Sequence, residues 1–207
     1  MNLVHIIISL VLGYFFGCFQ TSYFISKMVS EKDIREIGSG NAGASNVTSE
    51  LGWIYGIITG ISDMLKAFIP AQLILYIFPT SIQQTDIMAL AGTGAVLGHI
   101  YPFFLNFKGG KGVACYIGML LAINWQIGIT VLTTIILLTI ITDYVAIGSI
   151  LLYIMIPCMI YIDGHYSIII LTCSLVLLFV GILKHLINIK RILSGTEKGL
   201  RSVVKKL

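Results

Sequence analysis

Residues 108–112 read Lys-Gly-Gly-Lys-Gly and lie between long apolar segments. Successive glycines allow backbone N–H groups to converge on one point, and the two lysines add full positive charges. A loop of this kind can hold an anion, most often a phosphate. Lys111, which has glycine on both sides, is the better candidate for phosphate contact, whereas Lys108 is a general basic anchor. The alternative is a basic cytoplasmic loop of the kind that the positive-inside rule predicts.

A second polar segment, residues 38–47, reads Gly-Ser-Gly-Asn-Ala-Gly-Ala-Ser-Asn-Val. Small residues and glycines favour a tight loop with exposed backbone N–H groups. Its hydroxyl and amide side chains are potential hydrogen-bond partners for a polyol or a phosphate. The alternative is an ordinary loop between helices that carries an N-cap residue. The candidate side chains are those of Ser39, Asn41, Ser45 and Asn46.

A third polar segment, residues 185–197, begins with a histidine and an asparagine three positions apart. On a helix, His185 and Asn188 share one face. An imidazole at a membrane surface can donate to a phosphate or accept a proton near neutral pH. A solitary interfacial histidine is usually structural, but the two other polar segments, predicted on the same side, favour a functional role.

Three further polar residues lie in or beside apolar segments, where polar groups are costly. Asp63 and Lys66 are three positions apart, so on a helix they can form an ion pair. We interpret this pair first as structural and second as support for the site. Ser149 can turn its hydroxyl toward the same polar pocket; alone, it would be a small packing residue.

The cysteines and histidines do not show the spacing of a metal site. The four cysteines form no CxxC pair, and the four histidines lack the HExxH pattern. We therefore predict no metal held by cysteine or histidine. Basic and aromatic residues do not alternate as they do in proteins that bind single strands, so no nucleic-acid partner is expected.

The composition is that of an integral membrane protein. Of 207 residues, 57% are hydrophobic and 11% are charged, whereas soluble domains are about 25% charged. Apolar segments of about 20 residues cross a bilayer as helices, because a helix satisfies its own backbone in lipid. The sequence predicts one domain over residues 1–207, an all-α polytopic membrane bundle of about seven transmembrane helices with cytoplasmic polar loops. The predicted spans are 4–25, 53–78, 86–104, 113–124, 127–142, 144–162 and 166–184.

Four of these spans come from one long apolar run that is divided by three weak breaks, at 124–126, at Asp143 and at 163–165. The first of the four, 113–124, is short, so we expect it to be tilted, broken or partly inserted. Seven spans place 26–52, 106–112, the Asp143 break and 185–207 on one side. Every lysine and arginine except Lys66 falls there or at the adjoining helix ends, which assigns that side to the cytoplasm.

The first apolar segment has no preceding cation, so we expect a retained helix rather than a cleaved signal peptide. The tail, residues 195–207, is basic and is expected to lie along the anionic leaflet.

Taken in order, the segments GSGNAGASNV, AGTGAVLGHIYPFFLNFKGGKGVA and HLINIKRILSGTEKG, with ISDMLKAFIP in the second span, resemble the bacterial acyl-phosphate:glycerol-3-phosphate acyltransferase family. The resemblance covers nearly the whole chain. It implies an enzyme of phospholipid biosynthesis in the bacterial cell (inner) membrane, with its site facing the cytoplasm and no cofactor. The implied partners are acyl phosphate, glycerol 3-phosphate and membrane lipid. The implied products are 1-acylglycerol-3-phosphate (lysophosphatidate) and inorganic phosphate, and neither acyl-CoA nor acyl carrier protein would be the direct donor.

The resemblance also implies which residues form the site, with three of them nearest the chemistry and the others binding substrate. The three catalytic candidates are Lys111, His185 and Asn188. The binding candidates that it implies are Ser39, Gly40, Gly43, Gly109, Gly110, Gly112 and Ser149, and the residue types described above add Asn41, Asn46 and Lys108. The glycines among them would shape phosphate cradles.

The chemistry that the resemblance implies suits these residue types. An acyl phosphate is a mixed anhydride with a good leaving group, so the enzyme must mainly hold two anionic substrates close and in line. Lys111 and loop N–H groups would neutralise charge on the leaving phosphate. His185 is the candidate general base, although a substrate phosphate oxygen can take the proton instead. No covalent acyl-enzyme is expected, because no serine or cysteine has a base at triad-like spacing.

The chain departs from the family pattern at several positions. Ser49 stands where the family has an arginine that contacts substrate phosphate, so the forked bonds of a guanidinium are missing. Cys115 stands in place of threonine, and Leu186 and Ile187 replace an Arg-Glu pair. These changes predict weaker binding of glycerol 3-phosphate, an altered acceptor, or a catalytically impaired paralogue.

Two further classes of protein remain as alternatives. A phosphate or anion transporter would place broken helices and a phosphate-binding loop near the bilayer midplane. The clustering of the motifs at one surface and the lack of an internal repeat disfavour it. A non-catalytic assembly partner would bind the same ligands without turnover.

Overall fold

The structure is a computed structural model that describes residues 2–80 and 83–204. Over these residues the regular elements are all helical, which confirms the predicted all-α class. The α-helices are α1 (Leu3–Cys18), α2 (Thr21–Ser30), α3 (Ala44–Leu51), α4 (Trp53–Ile77), α5 (Gln84–Ile100), α6 (Val113–Ile123), α7 (Trp125–Thr142), α8 (Val145–Asp163), α9 (Ile168–Leu193) and α10 (Leu200–Val204). Short 3₁₀ helices span Ile34–Glu36 and Phe103–Leu105.

The lengths of these helices make the chain an integral membrane protein. In the described ranges, 6 stretches are long and apolar enough to cross a bilayer, with α1 and α2 taken together as Leu3–Ser30. The remaining predicted span corresponds to α6, which has 11 residues. A helix of that length is about 16 Å long, well short of the ~30 Å hydrocarbon core.

The helices group into two compact units, Met1–Gly128 and Ile129–Leu207. The first unit contains α1 to α6 and the first turn of α7, and the second contains the rest of α7 and α8 to α10. The single domain predicted over residues 1–207 stays a prediction.

Glycines pack α1 directly against α5 in the first unit. A methyl group added at Gly13 or Gly17 would lie within 2.0 Å of a carbonyl oxygen of α5. One added at Gly94 or Gly98 would lie 2.2 Å from a carbonyl oxygen of α1. Each pair of glycines is four residues apart, as in membrane helices whose backbones approach closely. This close contact between α1 and α5 therefore holds the end of α1 beside the end of α5.

The predicted first span, 4–25, is interrupted at Phe19 and Gln20. The carbonyl oxygen of Phe19, freed from the helix, accepts a hydrogen bond from Lys66 Nζ at 2.7 Å. Gln20 is buried, and its Nε2 donates to the carbonyl oxygen of His99 at 3.0 Å. Because polar groups of α4 and α5 meet these partners, the break is stable within an apolar stretch.

The predicted third span, 86–104, lies within the candidate membrane span Gln84–Leu105, but its α-helix ends at Ile100. Pro102 causes the difference, because its ring disfavours a helical conformation for the preceding residue and it has no N–H to donate. The chain instead forms the short 3₁₀ helix and then enters the glycine loop, which we define as residues 108–112.

The three breaks predicted in the long apolar run are confirmed. Asn124 Oδ1 accepts from the backbone N–H groups of Gln126 and Ile127 at 3.0 and 3.2 Å and caps α7. Asp143 and Gly164 both have left-handed backbones, with φ of 69° and 68°, at the ends of α7 and α8. The tail beyond residue 204, with Lys205 and Lys206, lies outside the described residues, and its place along the leaflet stays a prediction.

Candidate active site

The segment before the glycine loop folds into a compact turn. The N–H of Phe107 donates to the carbonyl of Pro102 at 3.0 Å, and that of Lys108 donates to Leu105 at 3.1 Å. Asn106 and Phe107 both have left-handed backbones, with φ of 53° and 57°. Two such residues in succession are uncommon outside glycine and mark a backbone held in place by its surroundings. The turn leaves Lys108 exposed.

The first two glycines of the loop pack against the end of α5 instead of opening their N–H groups to a ligand. The N–H groups of Gly109 and Gly110 donate to the carbonyls of Ile100 and His99, each at 3.1 Å. A methyl group at Gly109 would lie 1.9 Å from the His99 carbonyl oxygen, and one at Gly110 would lie 2.0 Å from His99 Nε2. Glycine is therefore required here for close approach, and a phosphate cradle formed by these two N–H groups would need the loop to rearrange.

The last two residues of the loop are better placed for an anion. Lys111 is half-buried, and Gly112 has a left-handed backbone, with φ of 86°, at the start of α6. The N–H groups of a helix's first turn carry partial positive charge, which adds to the lysine charge. Lys111 therefore remains the phosphate candidate of this loop.

The side chain of Asn46 forms hydrogen bonds with backbone groups in and just before the first polar segment. Its Oδ1 accepts from the N–H of Ser39 at 2.8 Å, and its Nδ2 donates to the carbonyls of Ile34 and Ile37, both at 3.1 Å. An amide nitrogen has only two hydrogens, and both are used. Direct contact from Nδ2 to a substrate would break one of these bonds, so in this structure Asn46 shapes the loop that presents Ser39.

The first polar segment and the glycine loop are neighbours in the first unit. A methyl group at Gly110 would lie 2.8 Å from the carbonyl oxygen of Ala42. Ser39 and Gly40 are exposed, Asn41 is half-buried, and Gly43 is buried as the N-cap of α3. The structure therefore brings together two segments that lie about 70 residues apart in the sequence, as the shared-pocket hypothesis requires.

Arg35 joins the residues just before the first polar segment to the turn just before the glycine loop. Its guanidinium donates to Asp33 Oδ2 at 2.6 Å and to the carbonyl of Leu105 at 2.8 Å. Hydrogen bonds from Arg35 hold the pKa of the Asp33 carboxyl below its usual value. Because the pKa of Asp33 is lower in the folded protein, the ionised carboxylate stabilises the fold at any pH above the unfolded-state pKa, near 3.8. This stabilisation is lost only as the pH falls through the folded-state pKa, so the Asp33–Arg35 pair is intact at neutral pH.

The position of the missing arginine carries no positive charge. Ser49 Oγ donates to Glu50 Oε1 at 3.4 Å. A methyl group at Gly38 would lie 2.6 Å from Glu50 Oε1, so a carboxylate lies beside the loop that holds Ser39. The position where the resemblance implies an arginine thus holds a hydroxyl with an acidic neighbour.

In the second unit, α8 and α9 pack through one polar face. Ser149 and Tyr153 are four residues apart on α8, and both are buried. The ring of Tyr153 lies over Gly181, where an added methyl group would come within 2.5 Å of it. His185, one turn further along α9, is 1% exposed, with its ring centroid 5.9 Å from that of Tyr153. Ser149 Oγ donates to the carbonyl of Val145 at 2.9 Å.

The hydrogen bond made by His185 defines its tautomer. Nδ1 lies 2.8 Å from the carbonyl oxygen of Gly181. A carbonyl oxygen can only accept, so Nδ1 carries the proton and the lone pair of the neutral ring is on Nε2. Nε2 is therefore the nitrogen suited to accept a proton from a substrate hydroxyl.

The chain after α9 folds back and holds Asn188. Asn188 Nδ2 donates to Glu197 Oε1 at 2.5 Å. A few residues later, the N–H of Leu200 donates to the carbonyl of Asp143 at 2.7 Å, and that of Arg201 donates to Asp143 Oδ1 at 2.8 Å. A methyl group at Gly199 would lie 1.9 Å from Asp143 Oδ2. The break between α7 and α8 thus anchors the segment that orients Asn188.

The structure gathers the candidates of each unit, and it gives a part in the site to three residues for which the sequence predicted none. Arg35 connects the stretches that precede the two loops, Tyr153 lines the α8–α9 face, and Asp143 anchors the segment after α9. Only Tyr153 had a usable signal, because it lies four residues after Ser149 on the same helix face. The contacts of the other two join distant positions that no local pattern links.

Comparison with known proteins identifies the family. The sequence model described as Glycerol-3-phosphate acyltransferase matches residues 7–195. A glycerol-3-phosphate acyltransferase of Thermotoga petrophila is 35% identical over 188 residues, 91% of this chain and 93% of that protein. Glycerol-3-phosphate acyltransferase 1 of Oceanobacillus iheyensis is 37% identical over 209 residues, 98% of this chain and 99% of that protein.

Comparison with solved structures supports the same family assignment. The fold matches the glycerol 3-phosphate form of PlsY (YgiH), an integral membrane glycerol 3-phosphate acyltransferase, with a TM-score of 0.84 and 32% identity over 94% of this chain and 95% of that one. The lysophosphatidic acid form of PlsY matches with a TM-score of 0.79 and 31% identity, over 96% and 98% of the two chains. The chain therefore belongs to the glycerol-3-phosphate acyltransferase family.

Proposed function

We propose that this enzyme transfers a fatty acyl group from acyl phosphate to glycerol 3-phosphate, forming lysophosphatidate and inorganic phosphate. The observation that carries the proposal is the position of Lys111, in a glycine loop that packs against the segment holding Ser39. The solved relatives hold glycerol 3-phosphate and lysophosphatidic acid, an acceptor and a product of such a transfer. The excess of lysine and arginine in the predicted loops supports a site on the cytoplasmic side of the bacterial inner membrane.

Charge neutralisation is the main task in this reaction. Both substrates are anionic, so bringing them together costs electrostatic energy that a lysine in a poorly hydrated site can offset. Lys111 would hold a phosphate group and stabilise the charge that grows on the leaving phosphate as the C–O bond of the anhydride breaks. The exposed hydroxyl of Ser39, on the adjacent loop, would bind the same anionic headgroup.

The attacking hydroxyl of glycerol 3-phosphate must lose a proton as its oxygen bonds to the acyl carbon. Nε2 of His185 is the basic nitrogen of its ring, because Nδ1 is bonded to the Gly181 carbonyl. Asn188, whose Nδ2 donates to Glu197, would bind substrate through its amide group. A phosphate oxygen of the substrate remains the alternative base.

Purified wild-type protein tests the proposal directly. We expect lysophosphatidate and free phosphate in a one-to-one ratio from acyl phosphate and glycerol 3-phosphate, and no product when acyl-CoA or acyl carrier protein replaces the donor. Turnover with acyl-CoA alone would contradict the donor assignment. Movement of phosphate across vesicles without acylated product would identify an anion transporter instead.

The environment of Ser49 favours a second candidate, an enzyme with weak affinity for glycerol 3-phosphate or with a different acceptor. Neither Ser49 nor its neighbour Glu50 can supply a positive charge to an anion. A charged hydrogen bond contributes about 1.5–3 kcal/mol, so its loss weakens binding by about tenfold or more.

Replacing Ser49 by arginine should restore that bond. We expect Ser49→Arg to lower the KM for glycerol 3-phosphate by about tenfold, with kcat changed much less, because a uniform binding contact is added. Ser49→Met is the matched control, since it adds length without charge and should leave KM near the wild-type value. A KM in Ser49→Arg equal to that of Ser49→Met would show that the missing cation does not limit this site.

A further inference from the structure

A buried cluster of ionisable groups lies behind the glycine loop. Lys66 Nζ is 2.8 Å and His99 Nδ1 is 3.4 Å from the same oxygen of Asp63, Oδ1. The side chains of all three are at most 5% exposed. They lie in the candidate spans formed by α4 and α5, where charged groups are expensive even when paired. Lys66 also holds the break between α1 and α2, so the cluster contributes to the packing of this unit.

The cluster connects three parts of the first unit. Lys66 donates to the Phe19 carbonyl at the break between α1 and α2, and Gln20 of that break donates to the His99 carbonyl. That carbonyl also accepts the N–H of Gly110 at 3.1 Å. The ion pair, the helix break and the glycine loop therefore form one hydrogen-bonded assembly around His99.

The imidazole of His99 has a different partner on each side. Nδ1 faces the Asp63 carboxylate, and Nε2 lies against the backbone of Gly110, where an added methyl group would be 2.0 Å away. Gly110 directly precedes Lys111. A shift or rotation of the His99 ring would therefore displace the backbone that carries Lys111.

The same geometry disfavours a metal in this place. Ligand atoms of Asp63, His99 and Cys115 lie within 4.8 Å of one another, as they would around an ion. The ammonium of Lys66, however, lies 2.8 Å from the Asp63 carboxylate and already supplies its positive charge. A divalent ion at this point would be repelled by that neighbour.

We propose that His99, oriented by Asp63, is a positioning residue that fixes the glycine loop and so sets the place of Lys111 for the substrate phosphate. The proposal rests on the proposed function of Lys111. It assigns to the buried cluster of α4 and α5 a role in substrate binding that goes beyond stability. A misplacement of about 1 Å in a binding group can cost up to ~100-fold in activity. The correct placement of Lys111 can therefore offset the free energy that is lost by burying the charged groups of the cluster.

Two variants test this role by kinetics. We expect His99→Ala to raise the KM for glycerol 3-phosphate by about tenfold or more with a much smaller change in kcat, because the loop moves while the reacting groups remain. His99→Asn, which keeps a donor near Asp63 but not the contact with Gly110, should show most of the same increase. A purely structural role would lower the amount of active enzyme, and hence the maximal rate, without changing KM.

Gly110→Ala provides the internal control, because its methyl group collides with His99 Nε2. We expect the single variant to raise KM as His99→Ala does. The double variant should show less than the product of the two effects, since the shortest contact of the added methyl group is with the ring that His99→Ala removes. Independent, multiplicative effects, or an unchanged KM in folded His99→Ala, would overturn the proposal.

Hydrogen exchange gives a readout that does not depend on activity. The amides of Gly109 and Gly110 should exchange faster in His99→Ala than in wild type, because the bonds of this loop to α5 are weakened. If wild-type protein shows no acyl transfer, the proposed function fails, yet exchange still decides whether His99 fixes the loop. Unchanged exchange rates in a folded His99→Ala variant would contradict the positioning role of His99, whichever reaction the enzyme catalyses.

Discussion

Replacing Lys111 by alanine should reduce kcat/KM for glycerol 3-phosphate by about 100-fold or more, the usual consequence of losing a preorganised group at developing charge. In the proposed reaction, Lys111 is the cation of the glycine loop that faces the substrate phosphate. Its loss removes the half-buried cation of this loop and leaves only Lys108, which is exposed. The measurement is the steady-state rate of lysophosphatidate formation by purified protein.

Lys32→Ala is the matched control for this variant. Lys32 is exposed and lies in the turn after α2, so its removal changes the net charge by the same amount without touching the glycine loop. It should retain nearly wild-type kcat/KM. Equal activities of Lys111→Ala and Lys32→Ala would rule out a phosphate contact by Lys111.

The second large effect is expected at His185. If Nε2 is the general base, His185→Ala should lower kcat by about 100-fold or more, in the range typical of acid–base groups, with a smaller change in KM. If a substrate phosphate takes the proton, the loss in kcat should stay below about tenfold. The ratio of kcat values in wild type and variant therefore identifies the base.

His185 is also packed in the α8–α9 face, so folding must be measured alongside activity. His165→Ala, at an exposed position in the turn between α8 and α9, controls for the loss of an imidazole. Added imidazole should restore part of the activity of His185→Ala if the ring acts chemically. Wild-type kcat in a folded His185→Ala would exclude any role for this side chain in catalysis.

Local chemistry in the sequence was enough to predict most helix ends. Asn124, Asp143 and Gly164 interrupt the long apolar run because their side chain or backbone suits a cap or a left-handed turn. The break after Cys18 could not be predicted in this way. Hydropathy continues across it, and its stability comes from Lys66 and Gln20, whose partners lie 47 and 79 positions away in the sequence.

In the candidate site too, the sequence indicated which residue types are present but not which contacts they make. The sequence identified the two loops through their glycines and through the lysines of the second, and the structure places these loops side by side. It could not show that Asn46 uses both amide hydrogens within the protein, or that the N–H groups of Gly109 and Gly110 bond to α5. Such roles depend on which partners the fold supplies, and no pattern in a single sequence contains that information.

The distribution of lysine and arginine leads us to expect that the glycine loop and the segment after His185 both face the cytoplasm, as the proposed reaction requires. Single cysteines at Phe107 and Ser194, both exposed and next to those segments, can be labelled from either side of sealed vesicles once the exposed Cys158 is replaced by serine. We predict that an impermeant thiol reagent reaches both only from the cytoplasmic side and reaches a cysteine at His165 only from the other. Labelling of Phe107→Cys and Ser194→Cys from opposite sides would contradict the account.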